Sequence, residues 1–322
     1  MLNLKIFLWL ALIATFLMAC ETGNVQPKCC QEPAGELIWE TYSQGNGSLS
    51  NNQINDLIEG PEAKVWAATE LGLNYWNGEN WFPVGNTQQF WSGVKMYDLL
   101  LWEDSLYLAS ENGLHILREQ WTPLLSDDTL TALAIDSDAA LWTASQNAQL
   151  WRYEAAFYAV VNPSDPAYAI TFVFEEDNGR LWLGAEDGQI HIRETGVWRS
   201  ENLGSIPTAI SQNPNGQIWI ATKGSGAFLY ENAQQVDQFG QNEGALSNTI
   251  YCLQFDDRNR LWLGTDKGLN VISGLDTPDD VLINFYDISD GLASNQVYSI
   301  LIQSETNWWI GTDKGVSRRY IK

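Results

Sequence analysis

The chain has 322 residues, 45% of them hydrophobic, enough for one large domain with a sizeable core or for two small ones. Its 40 acidic residues against 17 basic ones give a net charge of −23. A field of that sign repels polyanions, so nucleic acids, sulfated glycans and anionic lipid headgroups are not expected partners, and a solvated acidic surface is the plain reading of the charge.

Lys5 is followed by an apolar run from Ile6 to Ala19 that is too short to cross a bilayer comfortably and closes on Leu17-Met18-Ala19-Cys20. A positive start, an apolar middle and small residues before a cysteine read as a lipoprotein signal peptide over 1–19, with Cys20 as the lipidated residue; the ending resembles the bacterial lipobox. One lipid-modified terminus anchors a chain without spanning the membrane. The expected location is the cell envelope, on a periplasmic or outer-membrane face, with residues 20–36 as a tether. Cys29 and Cys30 in that tether are either two free thiols or, in an oxidising compartment, a vicinal disulfide or a cross-link to a partner.

From residue 37 onward the chain repeats itself. A pattern of apolar residue, aromatic, apolar residue, small residue and Thr or Ser recurs around Trp66, Tyr107, Trp142, Trp182, Trp219, Trp262 and Trp309, at intervals of 35 to 47 residues. Seven units of about 41 residues each have the length of a four-stranded propeller blade. Six residues after each key aromatic stand Gly72, Gly113, Ala148, Gly188, Ser225, Gly268 and Gly315, as expected where a hairpin needs a positive φ. The aromatic strand therefore lies in the middle of a meander. The strand before it, as in Ile250-Tyr251-Cys252-Leu253-Gln254-Phe255, is apolar on both faces and suits a sheet buried between two neighbours.

The ends predict how the ring closes. The seventh repeat stops after its third strand, and Leu37-Ile38-Trp39-Glu40-Thr41-Tyr42 matches the missing fourth. The expected fold is thus all-β, a seven-bladed β-propeller over 37–322 with four-stranded blades, the last blade closed by the N-terminal strand, so that no sheet edge is left open in the ring.

The segment from Asp256 to Leu269, Asp-Asp-Arg-Asn-Arg-Leu-Trp-Leu-Gly-Thr-Asp-Lys-Gly-Leu, resembles the two-component regulator propeller repeat, and the likeness runs through most of 37–322. That family's repeats build periplasmic ligand-sensing propellers in front of a membrane span and a histidine kinase. The resemblance implies a stand-alone extracytoplasmic binding or scaffold propeller here, because no kinase, DNA-binding domain or internal membrane span is read in the sequence. The family's polyanionic-glycan ligands do not suit a charge of −23 and are not carried over.

Candidate chemistry is sparse. At matching positions of the innermost strands stand Asp56, Asp98, Ala132, Thr171, Ala209, Cys252 and Ser299. The polar members Asp56, Asp98, Thr171 and Ser299 could line the axis and bind a cation or a sugar hydroxyl, or each Asp could accept backbone N–H bonds. A second surface is the loop Asn86–Gly93 with Phe90 and Trp91, whose mix of amides and rings suits a neutral glycan or simple loop packing. His115 and His191 would be the acid–base groups of a propeller lyase, but they fall on third strands, away from the axis, offset by one position and partly exposed. An Asp-box-like stretch from Asp177 to Trp182 reads as a turn element. No metal site, cofactor or catalytic residue is expected, and His-Glu-x-x-His, Gly-x-Ser-x-Gly and P-loop spacings do not occur. The expected function is binding of a small ligand or of a partner protein; the alternatives are an envelope scaffold with no small ligand and a lyase-type enzyme.

Overall fold

The computed structural model describes residues 35–85, 91, 93–126, 128–154, 157–160, 168–275 and 281–322. The expected signal peptide over 1–19 and Cys20 lie outside the described residues, as do Cys29, Cys30 and Phe90.

Seven four-stranded antiparallel sheets form the blades of a propeller. Their inner strands are Ile54–Glu59, Met96–Trp102, Leu130–Ile135, Ile170–Glu175, Pro207–Gln212, Ile250–Phe255 and Val297–Ser304. Six blades run inner to outer in chain order. The seventh takes its outer strand from Leu37–Tyr42, in register from Leu37 opposite Ile321 to Tyr42 opposite Val316. The predicted closure is what the structure shows.

Each key aromatic sits on the second strand, and the second strands are buried almost throughout because a blade covers each face. Trp182 and Trp262 are fully enclosed. Burial leaves an indole N–H in need of an acceptor, and in four blades, though not for Trp66 or Trp219, the residue six before the Trp supplies it. Asp136 accepts from Trp142, Glu176 from Trp182, Asp256 from Trp262 and Gln303 from Trp309, at 2.6 to 2.9 Å. Asp136 and Asp256 also accept backbone N–H groups of their own hairpin turn. The aspartate six before the Trp, as in Asp136 and Asp256, therefore caps a turn and satisfies a core indole. Truncating Trp262 to Ala should cost about 4 kcal/mol in a urea melt, since it leaves a large cavity and an acceptor that has lost its donor. A loss under about 1 kcal/mol would contradict this account of the core.

The expected positive φ after the second strand is present in every blade: Gly72, Gly113, Ala148, Gly188, Gly268 and Gly315 adopt it, and Gly224 and Gly226 do so around Ser225. Glycine is needed for a second reason besides φ. A Cβ on Gly113 would lie 2.0 Å from the carbonyl oxygen of Leu125, and one on Gly315 equally close to that of Tyr42. The outer strand ends against this turn, and only a bare Cα lets it approach.

Candidate functional site

Every inner strand carries a β-bulge near its start, at Ile54/Asp56, Met96/Asp98, Leu130/Ala132, Ile170/Phe172, Pro207/Ala209, Ile250/Cys252 and Val297/Ser299. The bulge leaves one residue per blade out of the ladder: Asn55, Tyr97, Thr131, Thr171, Thr208, Tyr251 and Tyr298. Bulges re-aim side chains. Here all seven line one funnel of about 450 Å³ at the start of the inner strands, a volume in the usual range for a small-molecule site, ~300–1,000 Å³.

The rim is equally regular. The residue four after each key aromatic donates its N–H to the carbonyl of the residue just ahead of the bulge, as Glu70 does to Gln53, Glu111 to Lys95, Glu186 to Ala169, Asp266 to Thr249 and Asp313 to Gln296. Gln146 and Lys223 complete the set. Five of these seven rim residues are acids, so the mouth carries negative charge.

This arrangement corrects the expected row in one place. Asp56 pairs with Ala68, two residues past Trp66, and the residue in that relation to Trp182 is Phe172 opposite Gly184. Thr171 belongs to the funnel ring beside it. A constant spacing of ten residues to the aromatic, kept in six blades, was the signal in the sequence that identifies Phe172.

Asp56 and Asp98 sit one residue deeper and act as clasps between blades. Asp56 accepts the N–H of Leu57 at 2.8 Å, the N–H of Leu99 in the next blade at 3.0 Å and the Ser299 hydroxyl at 3.1 Å. Asp98 accepts the N–H of Leu133 in the next blade at 2.6 Å, and the Ser299 hydroxyl stands 2.9 Å from the N–H of Leu57. The innermost edge of each sheet presents N–H groups with no strand beside them, and these side chains cap them. Both carboxyls are half-buried within the ring, and desolvation raises Asp56 to about 6 and, with the neighbouring Asp56 charge added, Asp98 well above the ordinary carboxylate range. The two carboxyls interact, and their mutual repulsion keeps them from ionising together.

In the ring above them, Asn55, Thr131 and Thr208 are tied to carbonyls of the following blade, those of Met96, Ile170 and Ile250, at 2.7 to 2.9 Å. Thr171 makes no such tie; its hydroxyl oxygen is shielded and unbonded. The three tyrosines keep their rings toward the funnel. Tyr251 and Tyr298 lie 4.6 Å apart between centroids. Burial raises all three phenols, Tyr298 to about 12, so they are neutral.

Trp91 is 2% exposed, packed edge-on against His115 at 4.7 Å and Trp121 at 5.3 Å. Its ring is part of the core and has no face to offer a ligand. His115 and His191 occupy the same register, opposite Leu108 and Leu183, rather than positions offset by one, and both are buried rather than partly exposed. Burial lowers both, and neither lines the funnel. A crevice of about 460 Å³ at the other end, between Phe174, Pro214 and Phe255, is lined by groups already engaged in turns, such as Asn213 and Asp256.

The sequence profile of a family described as two component regulator propeller matches residues 244–267, which bears out the resemblance read from the repeat. No curated protein matches the chain. Among solved structures, the extracellular domain of a putative hybrid two component system, BT4673 from B. thetaiotaomicron, is 20% identical, with a TM-score of 0.70 over 87% of this chain and 39% of that one. An inactive virginiamycin B lyase from Staphylococcus aureus, crystallised with quinupristin, is 12% identical, with a TM-score of 0.69 over 89% of this chain and 100% of that one. PorZ, a surface component of the type-IX secretion system of Porphyromonas gingivalis, is 17% identical, with a TM-score of 0.65 over 83% of this chain and 46% of that one. At these identities the likeness is one of fold.

Proposed function

We propose that this chain is a binding propeller of the cell envelope, held by lipid at Cys20, that takes a small ligand into its axial funnel. The observation that carries the reading is the ring of seven bulged residues, one from each blade, that converge on the funnel above the Asp56, Asp98 and Ser299 clasps. A concave mouth lined by polar and aromatic side chains is a receptor shape. The Leu17-Met18-Ala19-Cys20 ending supports the anchor, and the likeness to extracellular sensor domains supports the compartment. A second reading, a scaffold for an envelope protein, draws on the outer edge of the sixth blade, where Leu282, Phe285 and Ile288 are exposed.

The test is a thermal-shift screen of the chain against neutral oligosaccharides, amines and divalent cations. A ligand at about 100 times its Kd adds about 2.7 kcal/mol. The expected result is a hit whose shift disappears in Tyr97→Ala and in Thr171→Val. A hit that survives both substitutions would move the site elsewhere. Silence across the screen, with an envelope protein cross-linked to the sixth-blade edge, would favour the scaffold.

A further inference from the structure

One side of the funnel already holds an ammonium group, and it belongs to the protein. Lys95 Nζ stands 4.8 Å over the ring of Tyr97 and 2.8 Å from Glu70, the rim acid of the preceding blade. An aromatic face plus a carboxylate is a strong setting for an ammonium cation. The seventh blade repeats this arrangement without its cation. Tyr298 is the counterpart of Tyr97, and Asp266, the rim acid of the blade before it, is the counterpart of Glu70. The residue two before the tyrosine is Gln296, where the second blade has Lys95. Tyr251 lies beside Tyr298 at 4.6 Å between centroids, Asp313 is the rim acid of the seventh blade, and Gln296, which carries no charge, accepts the Tyr298 hydroxyl at 2.8 Å. One oxygen of Asp266 and one of Asp313 are shielded from solvent and accept no hydrogen bond from the protein. A carboxylate oxygen in that state is costly and gains most from a donor with positive charge.

We propose that the funnel takes a ligand bearing a protonated amine, whose ammonium group lies over Tyr298 and against Asp266, with Tyr251 and Asp313 flanking it. The proposal rests on the funnel being the binding site. The neutral phenols keep their rings as cation acceptors, since burial holds both in the protonated form. A divalent metal ion suits the place less well. It asks for about six to eight oxygen ligands, and among the described residues no three acidic, His or Cys side chains converge to hold one. The acidic rim draws a cation toward the mouth before contact.

The test compares two oligosaccharides that differ only in the amine. The full chain in detergent is titrated calorimetrically with a glucosamine tetramer and with the N-acetylglucosamine tetramer. The aminated tetramer is expected to bind at least about tenfold more tightly. Asp266→Asn should remove that preference. Gln296→Lys should abolish binding of the aminated tetramer and raise the melting temperature, because the new side chain occupies the place as Lys95 does beside Tyr97. Tyr298→Phe, which keeps the ring face, should bind as the native chain does. Glu103→Gln, an exposed acid at the opposite end of the second inner strand, should also change nothing and so controls for a general attraction of oligocations. Equal affinity for both tetramers, unaltered by Asp266→Asn but lost in Thr171→Val, overturns the amine and leaves the funnel standing. Binding of neither tetramer, or binding that no funnel substitution alters, overturns both. Gln296→Lys keeps the proposal decidable even where Asp266→Asn fails to fold.

Discussion

Replacing Asp98 by Asn should stabilise the chain by about 2 kcal/mol at pH 8 and have little effect at pH 4. Both carboxyls of the axial pair are raised in the folded state, Asp56 to about 6 and Asp98 further, by loss of water around them and, for Asp98, by the Asp56 charge. In the unfolded chain each returns to the ordinary carboxylate value. Between those values the folded state binds more protons than the unfolded one, so stability falls as pH rises. The pair's contribution is complete below the unfolded value near 4 and is lost as pH climbs through about 6 and beyond. The Asp98→Asn change removes the ionisation: the new carbonyl accepts the Leu133 N–H, and the new amide is a donor beside the Asp56 carboxylate. Urea melts at pH 4, 6 and 8 decide it. An Asp98→Asn chain destabilised equally at all three would mean that the carboxyls do not hinder each other's ionisation.

Removing residues 35–42 should unmake the ring. The strand Leu37–Tyr42 supplies six paired residues to the last blade. It also buries Trp39 against Trp308 and Tyr286, at 6.4 and 6.0 Å between ring centroids, and sets Glu40 to accept the Tyr42 and Tyr320 hydroxyls. Without it the strand Gly315–Ile321 becomes an open edge carrying Arg318 and Arg319, which now stack on Trp309 and Trp308 at 4.6 and 4.1 Å. The expected cost exceeds about 5 kcal/mol, comparable to the whole stability of many domains. The shortened chain should then lose its cooperative melt and assemble through its free edge. A peptide of residues 35–43 added in trans should restore a monomer with the native melt. A truncated chain that melts within about 1 kcal/mol of the full one would show that the first and last strands do not close the ring as argued.

Much of this could be read before any coordinates. The number of blades, the place of the aromatic on the second strand, the hairpin positions from Gly72 to Gly315 and the N-terminal closure all follow from local chemistry repeated seven times. A positive φ needs glycine at the position that makes the turn, and a strand buried on both faces needs apolar residues along its length. Such requirements are written where they act. The functional residues were less legible. For Asp56 and Asp98 the sequence leaves both a ligand row and the capping of backbone N–H groups open, because a free carboxylate and a capping one are the same letter; only the blade beside each shows the cap. Trp91 looked like a binding aromatic because its loop is polar, while its ring is enclosed by His115 and Trp121 from the next blade. Tyr251 lies in a run that reads as apolar on both faces, because its neighbours in sequence are core. The bulge that turns Tyr97, Tyr251 and Tyr298 out of the ladder has no residue type of its own. The sequence by itself determined the repeat, its turns and its closure, because these depend on residues within one blade. Only the tertiary structure decided which side chains face the axis and which acid stands beside which ring, because those relations join residues of different blades, and they exist only once the ring is closed.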